Sequence, residues 1–106
     1  MLRAAALLLA GVWLTTSPLA GGVTAGRQKA IACAVCHGPL GVATLPDAPN
    51  LAGQSAIYLV AQLKAYRGGT RQHEVMSLMA KPLSDADIDN LAAWYSSLQI
   101  EVKAKP

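Results

Sequence analysis

Residues 33–37 read Cys-Ala-Val-Cys-His, and no other stretch limits the possible folds as much. Two thiols two residues apart, followed at once by a histidine, match the spacing of covalent haem attachment. Each thiol can add to one haem vinyl group and leave a thioether bond. A gap of two residues on a short helical turn sets the sulfurs at the vinyl spacing. His37 then lies under the ring and offers an imidazole nitrogen to the iron.

Three other chemistries use cysteines at this spacing. A tetrahedral zinc site needs four ligands and usually pairs one C-x-x-C with a second cluster. This chain has no other cysteine, and His73 is its only other histidine. A thioredoxin-like redox pair calls for a βαβ context, and no stretch here alternates as a strand. A disulfide across two residues is short and strained.

The chain start reads as a targeting segment. Arg3 is followed by an apolar run over residues 4–14, rich in alanine and leucine, and then by a small, polar stretch over 15–20. Charged, apolar, then small-residue is the order of a secretory signal. The apolar run is well short of the ~20 residues that span a bilayer. Cleavage is expected after Ala20, giving a signal peptide over 1–20 and one domain over 21–106. Ala25 is the later alternative. No cysteine lies near either site, so a lipid anchor at a new terminal cysteine is excluded.

A domain of this size has a marginal core and often needs a staple. A covalent haem is such a staple, because side chains from every element can pack on its apolar disc. The formal charge is +3. Removing Arg3 leaves eight Lys and Arg against six Asp and Glu, and two haem propionates would bring the protein near neutral. The basic residues occur singly, with no run and no nucleic-acid-binding module, so a nucleic acid partner is not expected.

Residues 26–35 read as a first helix ending in the motif. Gly26, Ala30 and Ala34 fall at helical spacing. They form either a narrow face for close helix approach or mere alanine filler. Residues 38–50 hold three prolines and two glycines and read as a long loop. A ligating histidine normally donates its second ring N–H to a carbonyl or carboxylate, and Pro46 or Pro49 is placed to supply one. Ser55 is a plausible N-cap for a helix over 56–67, with Ala56, Leu59, Val60 and Leu63 on one face. Tyr58 and Tyr66 lie on a neighbouring stripe, for which core packing is the default. Gly68-Gly69 stops this helix. Residues 70–82 read as a second irregular stretch. Ser84 with Asp87 three residues on is a capping-box pattern. The helix it opens carries an apolar face of Ile88, Leu91, Ala92, Tyr95 and Leu98, flanked by Trp94. Residues 100–106 are a short, frayed, basic tail. The fold class is therefore all-α, three main helices and two long loops.

The ordered set of motifs resembles class I c-type cytochromes, closest to the small soluble bacterial kind and to one domain of the di-haem periplasmic cytochromes. The resemblance rests on Cys33-Ala34-Val35-Cys36-His37-Gly38, Pro49-Asn50-Leu51-Ala52-Gly53-Gln54, Met76-Ser77-Leu78-Met79, Leu83-Ser84-Asp85 and Ala92-Ala93-Trp94-Tyr95. It covers nearly all of the expected mature chain. Two departures matter. Only one haem motif is present, so a di-haem protein is not encoded. The chain has no phenylalanine, so Trp94 and Tyr95 must supply the aromatic packing of the last helix.

The resemblance implies a class I cytochrome c fold around one covalent haem c, held by Cys33 and Cys36. It also implies His37 and a methionine as axial ligands. With both positions filled by protein, the expected function is periplasmic one-electron shuttling between redox protein partners, not catalysis. The protein is expected to be a monomer or part of a weak complex, with no stable membrane anchor after signal cleavage. Two alternatives are a cytochrome subunit of a periplasmic dehydrogenase complex and a haem enzyme or gas sensor with a labile distal ligand. For the distal ligand, His73, Met76, Met79 and Lys81 compete. Lysine must lose a proton to ligate. His73 reads as an exposed loop residue. In the resembling family the ligand sits seven residues before the leucine of the Leu-Ser-Asp helix start. That leucine is Leu83, which selects Met76 and leaves Met79 as pocket wall.

Overall fold

The computed structural model describes residues 21–106; the signal peptide expected over residues 1–20 lies outside the described residues. Regular structure among the described residues is all helical. Helix α1 (Gly22–Lys29) runs into a 3-10 turn (Ala30–Cys33) and a single α-turn, α2 (Ala34–His37). The first helix thus starts four residues before the expected position. Its N-cap, Gly21, has no side chain to mark the boundary. The expected continuous helix also tightens at Ala30, as short 3-10 pieces do at helix ends.

The narrow face is real. Gly26 and Ala30 are buried and Ala34 partly so. A Cβ added at Gly26 would stand 1.8 Å from Asn90 O and 2.8 Å from Trp94 Cβ. Only a glycine lets α1 press this closely on the last helix.

Helix α3 (Ala56–Gly68) is opened by Ser55, whose Oγ accepts from Tyr58 N at 3.2 Å. Gly69, left-handed at φ 85°, closes it. Leu59 is buried, with Val60 and Leu63 packed partly buried against the same core. Tyr58 departs from the core-packing expectation and is 47% exposed. Tyr66 is half-buried, with the Arg71 guanidinium 4.7 Å over its ring.

The expected irregular stretch contains a short helix, α4 (Met76–Ala80). Its cap is unconventional. His73 Nδ1 accepts from Val75 N and Met76 N, both at 3.2 Å, and Ser77 Oγ accepts from His73 N at 2.9 Å. Helix α5 (Asp85–Ser97) has the full capping box: Asp87 N donates to Ser84 Oγ and Ser84 N to Asp87 Oδ2, both at 3.0 Å.

The three main helices meet in one core of Ala30, Leu59, Leu91, Ala92, Trp94 and Tyr95, with Cys33, Leu51, Leu83 and Leu98 packed on its margin. It is thin. Among the described residues only Ile88 and Leu91 are large side chains fully buried. Large apolar side chains stay outside it: Ile57 is 85% exposed, Val35 77% and Ile31 74%.

Candidate functional site

The Cys-x-x-Cys-His run straddles two elements: Cys33 closes the 3-10 turn, and Cys36 and His37 lie on α2. The chain then turns sharply at Gly38, where φ is +76° and a Cβ would meet Val42 O at 1.9 Å. A left-handed residue in so tight a turn must be glycine.

The loop that follows is bonded back onto the motif. Thr44 N donates to Cys36 O at 3.1 Å and Thr44 Oγ1 to Val35 O at 2.9 Å. Gly41 O accepts from Leu51 N at 2.7 Å and Ala52 N at 3.0 Å. Ala43 N donates to Asn50 Oδ1 at 2.7 Å. Gly53 N donates to Tyr95 O at 3.0 Å, tying the loop to the end of α5.

These bonds hold the Pro49 carbonyl 2.8 Å from His37 Nδ1. A carbonyl only accepts, so Nδ1 carries the proton and Nε2 keeps its lone pair. The ring is 6% exposed. A buried imidazole fixed in this tautomer and orientation is a prepared ligand. Of the two prolines considered, it is Pro49 that provides the carbonyl. Thr44 and Asn50, which hold the loop, carry no signal in the sequence beyond being polar residues among prolines and glycines.

Cys33 and Cys36 are unpaired, and each is partly buried. Burial pushes the Cys33 thiol above its ordinary value, although the Lys29 charge pulls the other way. Burial also pushes the Tyr95 phenol up, with the Cys33 thiol beside it adding to the shift. Tyr95 Oη and Trp94 Nε1 are buried without a hydrogen-bond partner, which is uncommon for buried polar groups.

The four distal candidates lie in one stretch. Met76 and Ala80 lie one turn apart on the same face of α4, and Leu83 follows just beyond the end of that helix. Ala80 is fully buried, Leu83 packs on the core, and Met76 is partly buried. Met79, on the margin of that face, is 41% exposed. His73 is exposed and commits Nδ1 to capping α4. Lys81 is exposed and lines an open surface depression between the end of α3 and α4.

The donors suit haem. Two free thiols stand beside one imidazole whose Nε2 is available, within a fold whose core is thin and whose apolar side chains are left uncovered. Among the described residues, no group of three or more His, Cys, Asp or Glu could hold a bare metal ion, as a zinc site would require.

Comparison with known proteins places this chain among cytochromes. The family profile for cytochrome c matches residues 23–99. Cytochrome c-554(548) of Halomonas halodenitrificans is 48% identical over 81 residues, covering 74% of this chain and 98% of that protein. A thiosulfate dehydrogenase electron acceptor of Thiomonas intermedia is 43% identical over 84 residues, covering 77% of this chain and 38% of that one. The crystal structure of cytochrome c4 from Pseudomonas stutzeri superposes with a TM-score of 0.70 at 37% identity, covering 76% of this chain and 47% of that one. The chain therefore spans nearly all of the first relative and less than half of the other two.

Proposed function

The chain belongs to the cytochrome c family and carries one haem c, and on that premise we propose that Cys33 and Cys36 bond the haem, with His37 and Met76 as its axial ligands. The group supplies a one-electron couple between ferric and ferrous iron. The function is electron transfer, and the residues of the chain tune and protect it.

His37 provides Nε2, held by the bond from Nδ1 to the Pro49 carbonyl; this is the observation that carries the reading. The carbonyl also makes the imidazole more basic. Met76 presents a thioether, which favours the ferrous state and raises the potential. Its partly buried position supports it over Met79, which is 41% exposed. With both axial positions filled by side chains, no coordination site is open to a substrate, so electrons pass between this protein and redox protein partners.

We place the working protein in the periplasm after removal of residues 1–20. No helix among the described residues is long and apolar enough to cross a membrane. Cleavage after Ala20 also leaves α1 whole. The likeness to a thiosulfate dehydrogenase electron acceptor favours a second reading, a cytochrome that works docked to a dehydrogenase. In the first reading it is a monomer that forms weak, short-lived complexes of small contact area.

The test is the weak sulfur-to-iron band near the red end of the oxidised spectrum. It should disappear in Met76→Ala and survive in Met79→Ala. The reverse pattern overturns the ligand assignment, and haem that extracts into acidified organic solvent overturns the covalent attachment.

A further inference from the structure

The segment that carries Met76 is fastened on both sides by arginines near the end of α3. At its entry, Arg71 N donates to Ala65 O at 3.2 Å, Arg71 Nη1 donates to Gln62 Oε1 at 2.7 Å, and the guanidinium covers Tyr66. At its exit, Arg67 Nη1 donates to Leu83 O at 3.0 Å and Nη2 to Asp85 Oδ1 at 2.6 Å. The Arg67 side chain is 29% exposed, whereas the carboxylate of Asp85 is 71% exposed. The backbone bond is thus the sheltered half of the pair.

Leu83 occupies a particular place. Its N–H closes a turn onto Ala80 O at 3.1 Å, at the end of α4. It precedes Ser84, the N-cap of α5, so its carbonyl has no place in the ladder of that helix. Arg67 takes up this carbonyl from a third element. A short helix moves as a unit, so the orientation of the α4–α5 junction sets where Met76 stands.

We propose that Arg67 is a positioning residue for the distal methionine: it locks the α4–α5 junction to α3 and so keeps the Met76 sulfur from swinging away from the iron. This rests on Met76 being the ligand. The planar fork of the guanidinium can serve a carbonyl and a carboxylate at once, which an ammonium on a flexible stem does less well. The Arg67 guanidinium also holds the Asp85 carboxyl below its ordinary range, as a maintained ion pair does.

The experiment uses the haem-loaded protein and the rate at which imidazole displaces the sulfur from ferric iron. At saturating imidazole this rate reports opening of the methionine segment, a local event whose free energy differs from that of global unfolding. Arg67→Gln should raise it about tenfold, the factor that about 1.4 kcal/mol represents. Arg67→Lys should fall between Arg67→Gln and wild type. Leu98→Ala, which thins the core margin away from the junction, should lower the denaturation midpoint but keep the rate within about twofold, as separate sites do. A rate in Arg67→Gln within about twofold of wild type, or a rise in Leu98→Ala as large as that in Arg67→Gln, overturns the proposal. If the sulfur-to-iron band survives in Met76→Ala, the ligand reading fails. If that band is lost as expected while the imidazole rate ignores Arg67, only the clamp fails.

Discussion

His37 Nδ1 lies 2.8 Å from the carbonyl oxygen of Pro49, twelve residues further along the chain. A bond across that span depends on what closes the loop, and Asn50 is central to it: its Oδ1 takes the Ala43 N–H at 2.7 Å. Asn50→Ala should loosen the Pro49 carbonyl and weaken its pull on the Nδ1 proton. The imidazole becomes less basic, ferric iron is less favoured, and the reduction potential rises. The rise should be tens of millivolts, below the ~59 mV that a tenfold change in relative affinity represents for one electron. Potentiometric titration of wild type and variant reads it directly.

The α1–α5 crossing gives a stability prediction with a built-in control. Gly26→Ala drives a methyl into the Asn90 carbonyl and the Trp94 Cβ. Backbone on one side and a buried aromatic on the other leave no room to yield, so the loss should be about 3 kcal/mol, the upper end for overpacking. Gly68→Ala, in the last turn of α3, meets nothing within 4 Å. It should instead gain about 0.5–1 kcal/mol from reduced chain entropy. Denaturant unfolding of both variants checks the opposite signs.

The contrast between α5 and α4 shows which parts of this fold the sequence declares. Ser84 and Asp87 announce α5 because a capping box is local chemistry between two nearby side chains and their backbones. Ser55 and Gly69 bracket α3 for the same reason. Helix α4 makes no such announcement. Its N-cap is Val75, and the acceptor for its first N–H groups is an imidazole nitrogen, a use of histidine that its sequence neighbours do not suggest. The motif of Cys33, Cys36 and His37 stands out in the sequence because its spacing suits the chemistry proposed for it. The choice between Pro46 and Pro49 was not, since it depends on bonds from Gly41, Ala43 and Asn50 that exist only once the loop has closed. Tyr58 departs from the core-packing expectation because it stands in the first turn of α3, beside the Leu59 face and not on it.

The cap of α5 also sets an acid limit. The bond from Ser84 N–H is the leading cause that holds the Asp87 carboxyl below its ordinary range, helped by Lys29 at 3.3 Å. Asp85 is held low by Arg67. A carboxyl with a depressed folded value binds its proton more readily when unfolded. Its contribution is therefore full above the unfolded value, near 3.8, and is lost as pH falls through the lower folded value. Thermal melts of wild type should fall steeply in this acid window. Asp87→Asn should melt lower at neutral pH and flatten the acid fall. Ser84→Ala should cost about 1 kcal/mol at neutral pH. A wild-type melt that is flat below pH 4 contradicts this account of the Ser84 cap bond and the two ion pairs.

The start of α1 bears on where the proposed signal peptide would be cleaved. Ala25 N donates to Gly21 O at 3.1 Å, which makes residues 21–25 the first turn of the helix. Gly26 follows directly and is the residue pressed against Asn90. Cleavage after Ala25 would delete that turn and leave a frayed, charged terminus at the tightest contact between α1 and α5. Cleavage after Ala20 leaves the turn intact and one residue before the helix proper. The exported protein should therefore begin at Gly21, as read by intact mass or N-terminal sequencing. A haem-loaded chain begun at Gly26 should unfold at lower denaturant than one begun at Gly21, by about 1–2 kcal/mol, the scale of lost end-turn bonding and packing. Equal stability of the two would show that the turn is dispensable, and recovery of the protein with Gly26 as its first residue would show that processing follows the later site.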